Sequence, residues 1–228
     1  MKPQLSVGFV LFDGLTQLDL TGPYEVLARM PDTRVHLVAA SLAPVRSEWG
    51  MAILPDVTFD DAPPIDVLCV PGGWSVNARL ADDTLLSFLR TRGERARYVT
   101  SVCSGALLLG AAGLLRGHRA TTHWLSLDLL PLLGAVAVAS RVVHDGNRIT
   151  AAGVTAGIEL GLTLAAVLFG PSVAQRIQLA IEYDPAPPFD SGSPDSAPAD
   201  IRAAVTQASQ HTIAERRALV ERAARRLA

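Results

Sequence analysis

One short run constrains the fold of this chain more than any other: a strand-forming segment that stops at a cysteine and continues as a helix. Residues 98–102 read Tyr-Val-Thr-Ser-Val, and Cys103 follows at once. Ser104 and Gly105 then lead into Ala-Leu-Leu-Leu-Gly-Ala-Ala, a run typical of a buried helix. Strand, sharp turn and helix in that order place the thiol at the carboxyl edge of a sheet, in the geometry that exposes a nucleophile.

The position of Cys103 has two interpretations. At the start of a helix, the partial positive charge and the free N–H groups favour a thiolate, which is the reactive form of cysteine. The alternative is a buried thiol that packs as a small hydrophobic group. We favour the first and predict an ionised, nucleophilic Cys103.

Composition excludes several classes of protein. A chain of 228 residues with 49% hydrophobic and 18% charged residues can fill the core of a folded domain. A formal net charge of -2 predicts no attraction to nucleic acid or to an anionic membrane. Two cysteines form neither a disulfide framework nor a paired metal motif. The N-terminus lacks a signal-peptide core, and apolar stretches such as 160–169 are too short to span a bilayer. We therefore predict a soluble, cytoplasmic protein.

Short apolar strands alternate with longer helices along the chain, which predicts an α/β fold with a mostly parallel sheet covered on both faces. We predict strands at 5–12, 35–40, 67–70, 98–102, 142–144 and 148–150, with edge pieces at 49–54 and 58–59. Helices are predicted at 18–30, 82–95, 106–112, 125–133, 156–169 and 200–227. The chain is interpreted as one domain, 1–228, with a Pro/Ser-rich loop at 184–198 and a helical extension at 199–228 whose arginines form a solvated face.

Three motifs fall at predicted carboxyl ends of strands, where parallel sheets bind their ligands. They are the glycine turn of Gly72 and Gly73, Cys103, and the segment 151–155. The two glycines either present N–H groups to negative charge that develops near the thiol or simply make a tight turn, and the sequence leaves both open.

The remaining candidates are single side chains. Asp19 lies between two leucines at the start of a helix, as a helix cap or as a desolvated acid with a raised pKa. His123 follows two threonines and is the candidate for a Cys-His pair, although no spacing rule ties it to Cys103. Cys69 lies inside a predicted central strand and is interpreted as inert packing.

Several segments together resemble the ThiJ/PfpI superfamily and, within it, the branch that hydrates isocyanides. The resemblance runs over nearly the whole chain and rests on the segments 17–23, 70–73, 98–103, 113–115, 120–124, 153–158 and 183–189, of which the Pro-rich tail through 195 is the most discriminating. It implies a flavodoxin-like three-layer sandwich, a homodimer, and hydration of organic isocyanides to N-formamides through a cysteine thioimidate. It implies no metal or organic cofactor.

By that resemblance Cys103 is the nucleophile and Asp19 its partner carboxyl, acting as acid and then as base. Many members of the superfamily carry histidine after the cysteine, whereas this chain has Ser104, a supporting residue that cannot be a base at neutral pH. The hydratases carry threonine at this position and a glycine run at 151–153, so both sites depart slightly from the pattern. An apolar pocket that includes Val154 would suit an uncharged substrate.

Other functions stay open at this point. The same cysteine serves glyoxalase-like or deglycase-like enzymes that act on α-oxoaldehydes, but the missing histidine counts against that activity. A ligand sensor of the same fold that binds DNA would need roughly a hundred more residues for two helix-turn-helix units. An exposed thiol of low pKa would also suit a redox sensor.

Overall fold

A computed structural model describes residues 5–227 and has a seven-stranded sheet at its centre. The strands in chain order are β1 (Leu5–Val10), β2 (Thr33–Ala39), β3 (Val45–Arg46), β4 (Ala52–Ile53), β5 (Val57–Thr58), β6 (Val67–Val70), β7 (Tyr98–Val102), β8 (Arg119–Ala120), β9 (Val136–Ala137), β10 (Val142–Asp145) and β11 (Arg148–Ala151). The order across the sheet is β10-β11-β7-β6-β1-β2-β5, and every pair is parallel except β10 with β11.

The helices form two groups that cover the sheet. They are α1 (Gln17–Leu27), α2 (Val76–Arg79), α3 (Asp83–Gly93), α4 (Gly105–Ala111), α5 (Ala156–Phe169), α6 (Pro171–Ala180), α7 (Ala199–Leu227) and a 3₁₀ helix at Trp124–Leu133. One group packs α1 and α6 against α5, and the other packs α3, α7 and the 3₁₀ helix around α4. The predicted three-layer sandwich with a mostly parallel sheet is confirmed.

The central strands are buried because both of their faces lie under helices. All four residues of β6 are buried, as are four of the five in β7. Strands of this kind read as continuous apolar runs instead of alternating patterns, which is why 67–70 and 98–102 were identified with the bounds that the structure shows.

The edges of the sheet differ more from prediction. The hairpin of β10 and β11 forms as predicted, around Gly146 with φ of 61°. Residues 49–54 were assigned wrongly to one edge piece, because Gly50 with φ of 89° turns the chain and only β4 remains, paired with β3 outside the main sheet. Strand β5 forms the true edge beside β2.

The C-terminal third consists of helices. The α6 helix was not predicted, although Gly170 and Pro171 are the usual end signal of one helix and start signal of the next. Segment 184–198 has neither helix nor strand, and the extension after it is one helix of 29 residues, α7. No helix within residues 5–227 combines the length and the hydropathy needed to cross a membrane.

Candidate active site

Cys103 occupies a strained turn between β7 and α4. Its φ is 55°, a left-handed conformation that costs a non-glycine residue about 1–2 kcal/mol. Gly105 makes the turn possible, because a Cβ there would lie 2.3 Å from the Val70 carbonyl oxygen and 2.7 Å from that of Pro71. The helix therefore begins directly against the end of β6, with the cysteine at the apex.

Three hydrogen bonds to two segments hold the strained cysteine backbone. The Cys103 N–H donates to the carbonyl oxygens of Ala151 and Ala152, at 3.1 and 2.8 Å. Its own carbonyl oxygen accepts from Thr122 Oγ1 at 2.7 Å. The carboxyl end of β11 and the loop after β8 thus fix the direction of the thiol, and strain that is over-determined in this way is typical of functional sites.

Asp19 lies in the first turn of α1 and is 1% exposed. The N-cap of that helix is Thr16, and the Asp19 carboxylate is not a cap: its Oδ2 accepts from the Gly72 N–H at 2.8 Å. Within residues 5–227, Oδ1 has no hydrogen-bond partner. Burial raises the Asp19 pKa to about 8, helped by the charge of Glu48 and opposed by the Gly72 N–H and the nearby Cys103 thiol. Of the two interpretations of Asp19, the desolvated acid is therefore correct and the cap is wrong.

The N–H groups of the glycine turn after β6 bind protein side chains, whereas one of the two sequence interpretations had them bind negative charge on the substrate. The Gly72 N–H is donated to Asp19, and the Gly73 N–H is donated to Ser104 Oγ at 3.1 Å. Both donors are already engaged, so the prediction that they receive negative charge from the substrate is not supported by this geometry. A Cβ on Gly72 would lie 2.6 Å from the Ser104 nitrogen and 3.0 Å from Asp19 Oδ2, so glycine lets the three segments meet.

Ser104 joins the elbow to this turn. Its hydroxyl accepts from the Gly73 N–H and lies 3.3 Å from the Gly73 carbonyl oxygen, to which it can donate. Both its backbone N–H and its hydroxyl lower the pKa of the Cys103 thiol. A hydroxyl at this position therefore supports the turn and the sulfur without acting as a base.

Burial acts on Cys103 against the predicted thiolate. The residue is only 7% exposed, and burial raises the pKa of its thiol above the ordinary value. The charge of Asp19 raises this pKa further, while Ser104 and Arg216 lower it. The N-terminus of the seven-residue helix α4 therefore acts against desolvation, and the net direction favours the protonated thiol at rest.

A cavity of about 250 Å³ opens above the sulfur. Thr16, Glu48, Gly73 and Trp74 line one side, and Leu125 and Val154 line the side formed by the loops after β8 and β11. Val154 therefore lies where it was predicted, in the apolar part of the wall. Cys103 is not sealed into the core, since it forms part of the floor of this cavity.

His123 also reaches the cavity, but as a neutral side chain. Its Nδ1 accepts from the Leu125 N–H at 3.4 Å, at the start of the 3₁₀ helix. Burial, together with the charge of Arg216, lowers the pKa of His123 to about 4. The structure gives no hydrogen bond between His123 and Cys103 among the described residues, so the imidazole caps a helix and the Cys-His pair does not form.

The third wall is the C-terminal helix α7, whose arginines were predicted to form a solvated face. Six of its residues line the cavity: Val205, Ala208, Ser209, Thr212, Ile213 and Arg216. Arg216 is 6% exposed, whereas its neighbour Arg217 lies on the surface. A sequence signal existed, because Arg216 shares the face of the buried Val220 and Ala223 at spacings of four and seven residues.

Two other observations bound the chemistry. Cys69 is buried, and Thr100 Oγ1 lies 3.2 Å from its sulfur, as expected for a packing residue. Within residues 5–227, no group of three or more His, Cys, Asp or Glu side chains is placed to hold a metal ion. The chemistry available at the elbow is therefore that of a thiol beside a carboxyl group.

Comparison with known proteins places this site in context. The model of the DJ-1/PfpI family matches residues 5–167. An isonitrile hydratase of Pseudomonas putida is 53% identical over 223 residues, which cover 98% of each chain and thus most of α7. A crystal structure of a ThiJ/PfpI family protein from Pseudomonas syringae superposes with a TM-score of 0.93 at 43% identity, covering 96% of this chain and 91% of that one. The transcriptional regulator GbdR of Pseudomonas aeruginosa is 30% identical over 192 residues, but these are only 52% of the regulator.

Proposed function

Because the chain belongs to the DJ-1/PfpI family and matches an isonitrile hydratase over nearly its whole length, we propose that it hydrates organic isocyanides to N-formamides. In this proposal the protein is a lyase of the hydro-lyase type, with Cys103 as nucleophile and Asp19 as the acid–base group. The observation that carries it is a buried carboxyl group whose Oδ1 has no hydrogen-bond partner within residues 5–227, beside a thiol that forms part of the floor of a partly apolar cavity.

The first step adds the thiol across the terminal carbon of the isocyanide. The sulfur of Cys103 bonds to that carbon while the thiol proton passes to Asp19 and from Asp19 to the same carbon. The product is a thioimidate, S–CH=N–R, and the carboxyl group ends in the protonation state in which it began. Gly72 holds Oδ2 by its N–H, which leaves Oδ1 to carry the proton.

The second step uses the same carboxyl group as a base. Ionised Asp19 takes a proton from water as its oxygen attacks the thioimidate carbon, and the nitrogen receives that proton. Collapse of the tetrahedral intermediate breaks the C–S bond, returns a proton to the sulfur and releases the N-formamide. One water is consumed, and no electrons are exchanged with a cofactor.

The cavity suits a small uncharged substrate. Leu125, Val154 and Ile213 provide apolar surface around the sulfur for an alkyl or aryl group. Ser104, which stands where a histidine base would follow the cysteine, counts against α-oxoaldehyde chemistry. These features favour isocyanides over the glyoxalase-like alternative.

We expect purified protein to convert both an alkyl and an aryl isocyanide to the N-formamide, measured as formamide by liquid chromatography. The competing activity is measured in parallel as lactate formed from methylglyoxal. If the protein forms lactate faster than it hydrates any isocyanide tried, the proposed reaction is contradicted and the glyoxalase activity is favoured.

We also propose that the enzyme is a cytoplasmic homodimer. Large apolar side chains remain exposed on the chain surface, among them Trp49, Leu179 and Phe189, and contact with a second copy would remove such groups from water. Light scattering is expected to give twice the chain mass of 24.1 kDa. A monomeric mass at micromolar concentration would contradict the dimer, and recovery outside the cytoplasmic fraction of cells would contradict the location.

A further inference from the structure

Arg216 is a buried cation that lacks a carboxylate partner. Its Nε donates to Asn77 Oδ1 at 2.8 Å and its Nη1 to Ser126 Oγ at 3.0 Å. No carboxylate among residues 5–227 forms an ion pair with it, although other arginines of the same helix, Arg217 and Arg226, have such partners. The guanidinium is thus fixed by two neutral acceptors from α2 and the 3₁₀ helix.

Such an arrangement is costly unless negative charge appears near it. Taking a cation out of water carries a large desolvation penalty, and two neutral hydrogen bonds do not supply the attraction of a counter-ion. Packing alone does not require arginine here, since an apolar side chain would fill the same face of α7 without that penalty. A charge that develops during the reaction would supply the missing partner.

The group that develops charge beside Arg216 is the sulfur. Arg216 and Cys103 line the same cavity, and each acts on the ionisation of the other through its charge. The other titratable or charged groups around them are Asp19 on α1, Glu48 between β3 and β4, His123 before the 3₁₀ helix, and Glu215, whose charge acts on Arg216. Since His123 is neutral, Arg216 is the cation of this set.

We propose that Arg216 is the charge partner of Cys103 and stabilises the negative charge on the sulfur as the thiol proton moves to Asp19. The residue is a positioning residue that acts through the nucleophile. It makes α7, which lies beyond the residues matched by the family model, a working wall of the active site. The inference deepens the proposed function but depends only on a reactive Cys103, whatever substrate the enzyme uses.

The test measures the reactivity of the sulfur without an isocyanide. Iodoacetamide is uncharged, and the Cys103 thiolate displaces its iodide while the thiol proton goes to solvent. Removing the positive charge raises the thiol pKa, so we expect Arg216→Gln to slow alkylation of Cys103 about tenfold at pH 8. Arg216→Lys keeps the charge and is expected to restore the rate to within about threefold of wild type. Peptide mass spectrometry assigns the label to Cys103.

Two surface variants complete the design. Arg217→Gln removes a positive charge one residue away on the exposed face and is expected to leave the rate unchanged. Glu215 is exposed and accepts from Asn77 Nδ2, a bond that glutamine can also accept. Because Glu215 offsets the charge of Arg216, Glu215→Gln is expected to speed alkylation about twofold.

The alkylation rates distinguish a charge role of Arg216 from a packing role. Equal slowing by Arg216→Gln and Arg216→Lys, or no change in either, would overturn the charge partnership and leave a packing role. If Arg216→Gln fails to fold by circular dichroism, Glu215→Gln decides: a faster rate supports the proposal and an unchanged rate contradicts it. If Arg216→Gln slows alkylation but the wild-type protein hydrates no isocyanide, the proposed function is contradicted and the charge partnership of Arg216 with Cys103 is still supported.

Discussion

Replacing Cys103 by serine is expected to lower the rate of isocyanide hydration by about 10⁴-fold or more. The proposed reaction passes through a carbon–sulfur bond, and a hydroxyl oxygen is a far weaker nucleophile toward the isocyanide carbon. Formamide appearance measures the loss. Intact mass of wild-type enzyme quenched during turnover is expected to show one added isocyanide, and the variant is expected to show none.

The second cysteine provides a matched control. Cys69→Ser makes the same chemical change in β6, where the thiol only packs beside Thr100. We expect hydration within about twofold of wild type, since that sulfur lies outside the cavity lining. A Cys103→Ser enzyme that kept more than a tenth of the wild-type rate would end the covalent mechanism.

Replacing Asp19 by asparagine is expected to lower kcat by about 10²–10⁴-fold, the usual contribution of a positioned acid–base group. The amide oxygen can still accept from Gly72, but the side chain can neither receive the thiol proton nor activate water. In this variant the first step is expected to remain faster than the second. Thioimidate therefore accumulates on Cys103 and is detected by intact mass. Free enzyme with no adduct and full kcat would contradict the assigned roles.

The same carboxyl group sets the expected pH dependence. In the reactive state, Cys103 and Asp19 share one proton. Burial raises the Asp19 pKa to about 8, so below this pH the pair holds a second proton on Asp19 and does not react. For wild type, kcat/KM should therefore rise with pH through a midpoint near 8, and this limb should disappear in Asp19→Asn. A midpoint near 4, the ordinary range of an aspartate, would show that the carboxyl group is ionised in the free enzyme.

Stability measurements provide the control for that variant. The unfolded chain releases the Asp19 proton near the ordinary pKa of 3.8, whereas the folded protein holds it up to about pH 8. The folded state binds more protons between these values, so the unfolding free energy falls as pH rises through this window. Urea unfolding at pH 5 and pH 8 should show a smaller fall in Asp19→Asn, with the variant folded at both.

Local sequence patterns predicted most of the strands and helices that carry the site. Strands β6 and β7 and helix α5 were predicted with the bounds that the structure has, because buried parallel strands and long helices leave strong local patterns. The helical start of α3 was similarly marked by Asp82, which caps it by accepting from the Leu85 N–H. The edges were predicted less well, because two-residue strands such as β5 leave little local pattern and form only by pairing with a neighbouring strand.

The state of each site residue was harder to predict, since it depends on distant segments. The residues around Asp19 left open a helix cap or a desolvated acid, and the difference depends on the Gly72 N–H, 53 positions along the chain, which donates to its carboxylate. The arginine-rich tail looked solvated, yet Arg216 bonds Asn77 across 139 positions. The Cys103 thiol follows the same pattern, because local helix geometry predicts a lowered pKa whereas burial by distant segments raises it.

The sequence by itself determined that a cysteine follows a buried strand of an α/β sheet and that a carboxyl group lies at the start of the first helix. Both features are local, fixed by the hydrophobic pattern and by the glycines that allow the turns. Only the tertiary structure decided that the buried carboxyl group lies beside the thiol and that C-terminal Arg216 lines the cavity above the sulfur. Burial and charge in that cavity are sums over all surrounding segments, and ionisation follows from that sum.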